Sequence, residues 1–108
     1  MKVSDLAALE IFRPVSLPDG GREIKGCYIG DLLSWVMGRA QADNAWITIM
    51  SNINTVAVAS LADTACIILA ENVVPDEQVT ETAAQKGVNI LSSSLPAYET
   101  ALELAKLI

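Results

Sequence analysis

The sequence predicts an α/β domain of three layers, α/β/α, around a mostly parallel sheet of about four to five strands. Three observations carry this. Short apolar runs rich in β-formers recur as "AWITIM", "ACIILA" and "VNIL". Each is followed by a polar loop and then by a helix-like stretch. The strand centres Ile47, Ile67 and Ile90 recur at near-even spacing. Such alternation is the signature of βαβ units, whose parallel strands are covered on both faces and whose connections are right-handed.

Ser4-Asp5 can cap a short helix, "DLAALEIF", with Leu6, Leu9 and Ile11 facing inward. Pro14 ends it or opens an extended piece. "SLPDGG" is a turn, because proline, aspartate and glycine suit its backbone. "REIKGCYIG" then reads as a strand, broken at Gly30-Asp31. Asp31 is the natural N-cap of the helix "LLSWVMGRA".

The three repeats follow. "AWITIM" leads through Ser51-Asn52-Ile53-Asn54 to the helix "TVAVASLA", which Thr55 can cap. "ACIILA" leads through "ENVVPD" to the helix "EQVTETAAQKG". "VNIL" leads through "SSSLP" to the helix "AYETALELAKLI". Pro75 just inside one helix, Gly87 after its last turn and Pro96 before the final helix are ordinary start and stop signals.

The 108 residues fit one domain, 1–108, with no linker or low-complexity tract. Composition is 52% apolar and 19% charged, and mean hydropathy is +0.39. That excess of apolar residues suggests a surface covered by another protein, most simply a second copy. Net charge is −6, and no Lys/Arg cluster is present, so neither nucleic acid nor an anionic membrane is an expected partner. The opening residues lack the apolar core of a signal peptide. The most apolar long window, Val56 to Val74, carries Asp63 near its centre. An aspartate in mid-membrane costs about 2.5–3.5 kcal/mol, which excludes a span there. A cytoplasmic location is the expectation. Cys27 and Cys66 lie in apolar runs and read as buried thiols. With no histidine in the chain, histidine-based triads, histidine acid–base chemistry and most zinc sites are excluded.

The helix "VAVASLAD" has Ser60 as its only polar residue before Asp63. A helix apolar all round is buried all round. One side packs on the sheet; the other needs a cover. Its small residues permit close approach, so Val56, Ala57, Ala59 and Ser60 are expected at a homodimer interface. The competing reading is that a neighbouring helix of the same chain supplies the cover.

Ligands of open parallel sheets sit beyond the carboxyl ends of the strands. Loops at Ser51 to Thr55, Glu71 to Asp76 and Ser92 to Ser94 fall there. Two of them enter helix N-termini, whose free N–H groups and dipole favour anions. Asp31, Ser34, Ser51, Asn52, Asn54, Thr55, Ser92 and Ser93 are the candidate ligand-binding residues, acting as hydrogen-bond donors and acceptors. The competing reading is that they are helix caps and turn formers. Neither a P-loop nor a G-x-G-x-x-G stretch occurs, and no carboxylate pair stands at metal-ligand spacing. No cofactor or metal is expected.

"GCYIGDLLSWVMGRA" and the stretch "AWITIMSNINTVAVASLADTACIILAENVVPDEQVTETAAQKGVNILSSSLPAYETALEL" together resemble the DRTGG domain family. The resemblance runs from about Glu23 to the C-terminus. The chain is similar to modules of phosphotransacetylases and CBS-domain pyrophosphatases, and to the N-terminal domain of HPr kinase/phosphorylase. It looks closest to small stand-alone members encoded near iron hydrogenases. The resemblance implies a three-layer fold, frequent dimers and a regulatory role without catalysis. A GDR-like loop falls at Ser51-Asn52-Ile53-Asn54, here with neither glycine nor arginine. A TGG-like turn falls near Ala70-Glu71-Asn72, here without glycine.

The functional expectation is a non-catalytic, dimeric, ligand-sensing module that binds a small anionic metabolite or nucleotide. The alternative is a subunit that docks on a partner enzyme and takes no small ligand. An enzyme would need a nucleophile–base pair, and Ser92 and Thr55 have no histidine or lysine near them in sequence.

Overall fold

The computed structural model describes residues 1–108. Its elements, in chain order, are α1 (Val3–Ala7), β1 (Phe12–Ser16), β2 (Cys27–Ile29), α2 (Leu33–Arg39) and β3 (Ala45–Thr48). There follow α3 (Ile53–Ala62), β4 (Cys66–Leu69), α4 (Glu77–Lys86), β5 (Ile90–Ser93) and α5 (Ala97–Ala105). The five strands form one sheet in the order β1-β5-β4-β3-β2. β2 to β5 run parallel, and β1 joins β5 antiparallel. This is the expected α/β/α arrangement.

The parallel strands lie side by side in chain order. Each right-handed crossover therefore steps the same way, which puts α2, α3 and α4 on one face of the sheet. Their core holds Val36, Trp46, Val56, Ala59, Val79, Ala83 and Ile90. The other face carries α1 and α5 over Phe12, Ala45, Ile47, Cys66, Ile68 and Leu91. All of β3 and β4 is buried, as strands covered on both faces must be. Trp46 is fully buried and donates its Nε1–H to the Gly30 carbonyl at 2.8 Å. A buried indole needs such a partner.

α3 is the middle helix of its layer, packed against α2 and α4. That accounts for the apolar sides it turns to the sheet and to its two neighbours. Val56 and Ala59 are buried inside the protomer, so the expectation that they meet a second copy is corrected. Ala57 is half-buried and Ser60 exposed, beside Leu61 at 73% exposure.

Other boundaries move for identifiable reasons. α1 is shorter than "DLAALEIF", and Leu9 is exposed while Val3 and Leu6 are buried. Phe12 to Ser16 is a strand despite Pro14. Proline tolerates this place because β1 is an edge strand, with β5 alone beside it. β2 is cut to three residues, since Gly26 turns into the left-handed region at φ 79°. Pro75 lies just outside α4, whose N-cap is Asp76. β5 runs to Ser93, two residues beyond "VNIL", and takes in two of the expected loop serines.

Two polar ties close the end of the sheet where β3, β4 and β5 begin. Asn89 is buried; it donates to the Ala65 carbonyl at 2.9 Å and the Asp19 carbonyl at 2.8 Å, and accepts from Asp19 N–H at 2.9 Å. Arg22 donates Nε–H to Asp43 at 3.0 Å and reaches Asp63 Oδ1 at 2.8 Å. Burial pulls the Arg22 pKa down, but its bonds to Asp43 and Asp63 outweigh that and hold it above the ordinary value.

The thiols divide. Cys66 is buried, and its pKa is pushed up to about 12, chiefly by desolvation. Cys27 is exposed on β2, contrary to expectation, yet neighbouring apolar groups desolvate the thiol enough to push it up to about 11.

Asn89→Ala leaves buried backbone groups unpaired and is expected to cost about 2–3 kcal/mol in urea unfolding. In dilute native protein one thiol, Cys27, is expected to react with an alkylating reagent. Its rate should rise about tenfold per pH unit toward pH 11, because the thiolate is the nucleophile. Mass spectrometry counts the adducts.

Candidate functional site

With β2 to β5 parallel, their carboxyl ends share one rim of the sheet. The candidate residues all belong to that end of the molecule, but their side chains are not equally free.

Asp31 follows β2. It was expected to cap α2, but the N-cap is Leu32, and the cap makes no side-chain bond. The Asp31 carboxylate turns across the sheet instead. Its Oδ1 accepts from Thr48 Oγ1 at 2.7 Å and from Ile49 N–H at 3.0 Å. Met50 N–H donates in turn to Thr48 Oγ1 at 3.1 Å. One carboxylate oxygen thus joins the exit of β2 to the exit of β3, leaving Oδ2 uncommitted. Ser34, in the first turn of α2, is exposed.

Asn52, not Thr55, is the N-cap of α3. Its Oδ1 accepts from Thr55 N–H at 3.1 Å and from Thr55 Oγ1 at 3.4 Å. Thr55 is buried and bonded inward, so it is withdrawn from any ligand. Ser51 is half-buried, while Asn52 and Asn54 are exposed.

Ser92 and Ser93 lie within β5 and are buried. Successive strand residues face opposite sides. Ser92 Oγ–H donates to the Val73 carbonyl at 2.9 Å. Ser93 Oγ shares a hydrogen bond with Thr100 Oγ1 of α5 at 2.7 Å and accepts from Leu95 N–H at 3.1 Å. Both hydroxyls are consumed in fastening loops. Ser93 belongs to the α5 side and Asn54 to the α3 side, so the two do not border one pocket.

The rim therefore brings together Ser51, Asn52 and Asn54 at the start of α3, with Asp31 and Ser34 on the neighbouring loop and helix. Between the N-terminal ends of α3 and α4 lies a narrow apolar cleft, too tight to take a water molecule. Met50, Ser51 and Asn52 form one wall, Pro75 and Val79 the other, and Ile67, Leu69 and Ile90 the floor.

Charge on this rim is mostly negative. Asp31, Glu71 and Asp76 stand at the strand exits. Arg13 stands level with Ser92 on the far edge strand, and the Arg39 guanidinium folds back over the Trp35 ring of α2 at 3.9 Å. Arg22 and Lys86 line a pocket at the opposite end. Attraction for a negative group near the cleft thus rests on the helix N-termini, each worth about 0.3–1 kcal/mol at the surface. No three His, Cys, Asp or Glu side chains gather at metal-binding distance.

The turn after β4, at Ala70-Glu71-Asn72, has an unusual backbone. Glu71 and Asn72 are both left-handed, each at φ 61°. Glu71 N–H donates to the Leu95 carbonyl at 2.9 Å and Asn72 N–H to the Ser93 carbonyl at 2.8 Å. This is where the family resemblance led us to expect a TGG-like turn, and the backbone is the one that glycine adopts without strain. The signal was present as a departure from that pattern. Glu71→Gly is accordingly expected to raise stability by about 0.5–1 kcal/mol, the left-handed penalty less glycine's entropy cost, read as a higher urea midpoint.

Comparison with known proteins places this geometry. The DRTGG domain pattern matches residues 29–107. No curated protein matches the sequence. Among solved structures, the chain is similar to the crystal structure of the CBS and DRTGG domains of the regulatory region of Clostridium perfringens pyrophosphatase, complexed with the activator diadenosine tetraphosphate. The TM-score is 0.69 at 7% identity, over 84% of this chain and 40% of that one, so the likeness is one of fold. Fold and family pattern agree, and the chain belongs to the DRTGG domain family.

Proposed function

We propose that this chain is a regulatory, ligand-sensing module without catalysis of its own, working as a homodimer. The ligand is a small metabolite or nucleotide held at the carboxyl ends of the strands, beside the start of α3. The observation that supports this is the polar start of α3, where Ser51 and the Asn52 cap border an apolar cleft between two helix N-termini and Asn54 stands exposed in the next turn. The similar Clostridium perfringens structure is a regulatory region bound to a nucleotide activator, which supports the class of role.

The electrostatics narrow the ligand. With carboxylates at the strand exits and no arginine or lysine lining the cleft, a polyphosphate gains little there and meets repulsion. A nucleoside, or a group with a single negative charge, suits the asparagine amides and helix dipole better. The reading as a non-enzyme rests on the hydroxyls. Thr55, Ser92 and Ser93 are each engaged in structural hydrogen bonds, and the lysines Lys86 and Lys106 lie at helix C-termini, away from the rim.

A second reading is a subunit that docks on a partner enzyme with no small ligand. The exposed Leu32, Trp35 and Met37 of the α2 region favour it. In both readings no helix of the chain is long and apolar enough to cross a membrane.

Thermal unfolding against nucleosides, nucleotides, dinucleoside polyphosphates and small carboxylic acids separates the two. Ligand at 100 times Kd should stabilise by about 2.7 kcal/mol. Asn54→Ala should change intrinsic stability by less than about 0.5 kcal/mol while removing most of that gain. Asn52→Ala should also cost about 1 kcal/mol of cap stability. A panel without any shift, with a partner enzyme recovered by pull-down, would favour the docking subunit.

A further inference from the structure

The two faces of the sheet are covered unequally. Three helices pack on one side, while α1 and α5 alone serve the other. The side of β2 that faces α5 is left open. Between β2 and α5 runs a groove of about 350 Å3 lined by Cys27, Ile29, Ala101, Leu104, Ala105 and Ile108, all apolar. Ile29 is 50% exposed and Ile108 46%.

α5 itself presents two apolar stripes. Thr100 and Leu104 are buried against the rest of the fold. A second stripe, Tyr98, Leu102 and Ala105, has the spacing of one helix face and lies next to the groove. Tyr98 is 68% exposed and Leu102 45%. Nothing in the protomer covers this stripe.

Its flanking charges say what can. Glu99 and Lys106 lie along one border of the stripe, on either side of Leu102. If two copies of α5 pair antiparallel about a two-fold axis near Leu102, Glu99 of each protomer falls beside the partner's Lys106. Parallel pairing would set like charges together. Lys106 now bonds Glu103 within its own helix at 2.9 Å, at an exposed surface where such pairs exchange freely. No acidic side chain lines the groove, which matters when both copies carry a net charge of −6.

We infer that this face is where a second copy docks, α5 against α5, with Tyr98 and Leu102 of each copy covering the groove of the other. The inference rests on the homodimer reading above and names its surface. The contact is isologous, as two-fold symmetry requires, and lies on the side of the sheet away from the α3–α4 cleft.

The test uses the full chain in sedimentation equilibrium, with native thiol labelling. Wild type should dimerise, and Cys27 labelling should slow as concentration rises, because the groove closes. Leu102→Glu should give a folded monomer with fast, concentration-independent labelling. Glu99→Lys alone and Lys106→Glu alone should each weaken the dimer, on the order of tenfold, and the double exchange should restore it. That rescue is specific to antiparallel self-pairing. A dimer that survives Leu102→Glu, or that Leu61→Glu on α3 breaks instead, would overturn this surface and leave the homodimer reading standing. A wild-type chain that stays monomeric at every concentration would overturn both.

Discussion

The structure turns on the handedness of its crossovers. A parallel strand pair joined by a helix is almost always right-handed, and here three such units step across the sheet in one direction. Everything else follows from that. The carboxyl ends of β2 to β5 share a rim. α2, α3 and α4 line up on one face, so the middle helix is enclosed on three sides and can be apolar there without cost. The opposite face receives only α1 and α5, which leaves β2 uncovered.

The rim shows how few of a loop's polar groups remain available once the backbone is satisfied. Asp31, Thr48, Ser92, Ser93 and Thr100 bond one another or neighbouring main chain. They hold strand exits and helix starts together, because buried donors and acceptors left unpaired cost more than such bonds return. What remains exposed at the start of α3 is Asn54 and the side chain of the Asn52 cap, with apolar residues below and carboxylates to the sides. The left-handed pair Glu71-Asn72 adds backbone strain at the same rim, and strain of this kind collects where a structure serves a function.

The two ends of the sheet differ in chemistry. At the amino ends of β3 to β5, Arg22 grips Asp43 and Asp63 while Asn89 ties the turn at Asp19 to the main chain at Ala65. That end is cross-linked by polar bonds across distant parts of the chain. The carboxyl end is fastened mostly through single side chains to nearby loops. Stability and candidate binding therefore occupy opposite ends, which lets residues such as Asn54 vary without loosening the fold.

The sequence by itself determined the alternation of strand and helix, the three-layer class, the helix stop at Gly87 and the helix start at Pro96. Each of these is a local matter of periodicity and backbone preference, written in neighbouring residues. Only the tertiary structure decided that Phe12 to Ser16 is an edge strand, that Ser92 and Ser93 are buried pleats, and that Asp31 bonds Thr48 in place of capping α2. It also decided that Val56 and Ala59 of α3 are covered by their own chain and that α5 keeps an open apolar stripe beside β2. These outcomes depend on partners far apart in sequence. A serine reads as a loop residue until Val73 or Thr100 arrives to take its hydrogen bond, and a proline reads as a break until it stands on an edge that needs no donor.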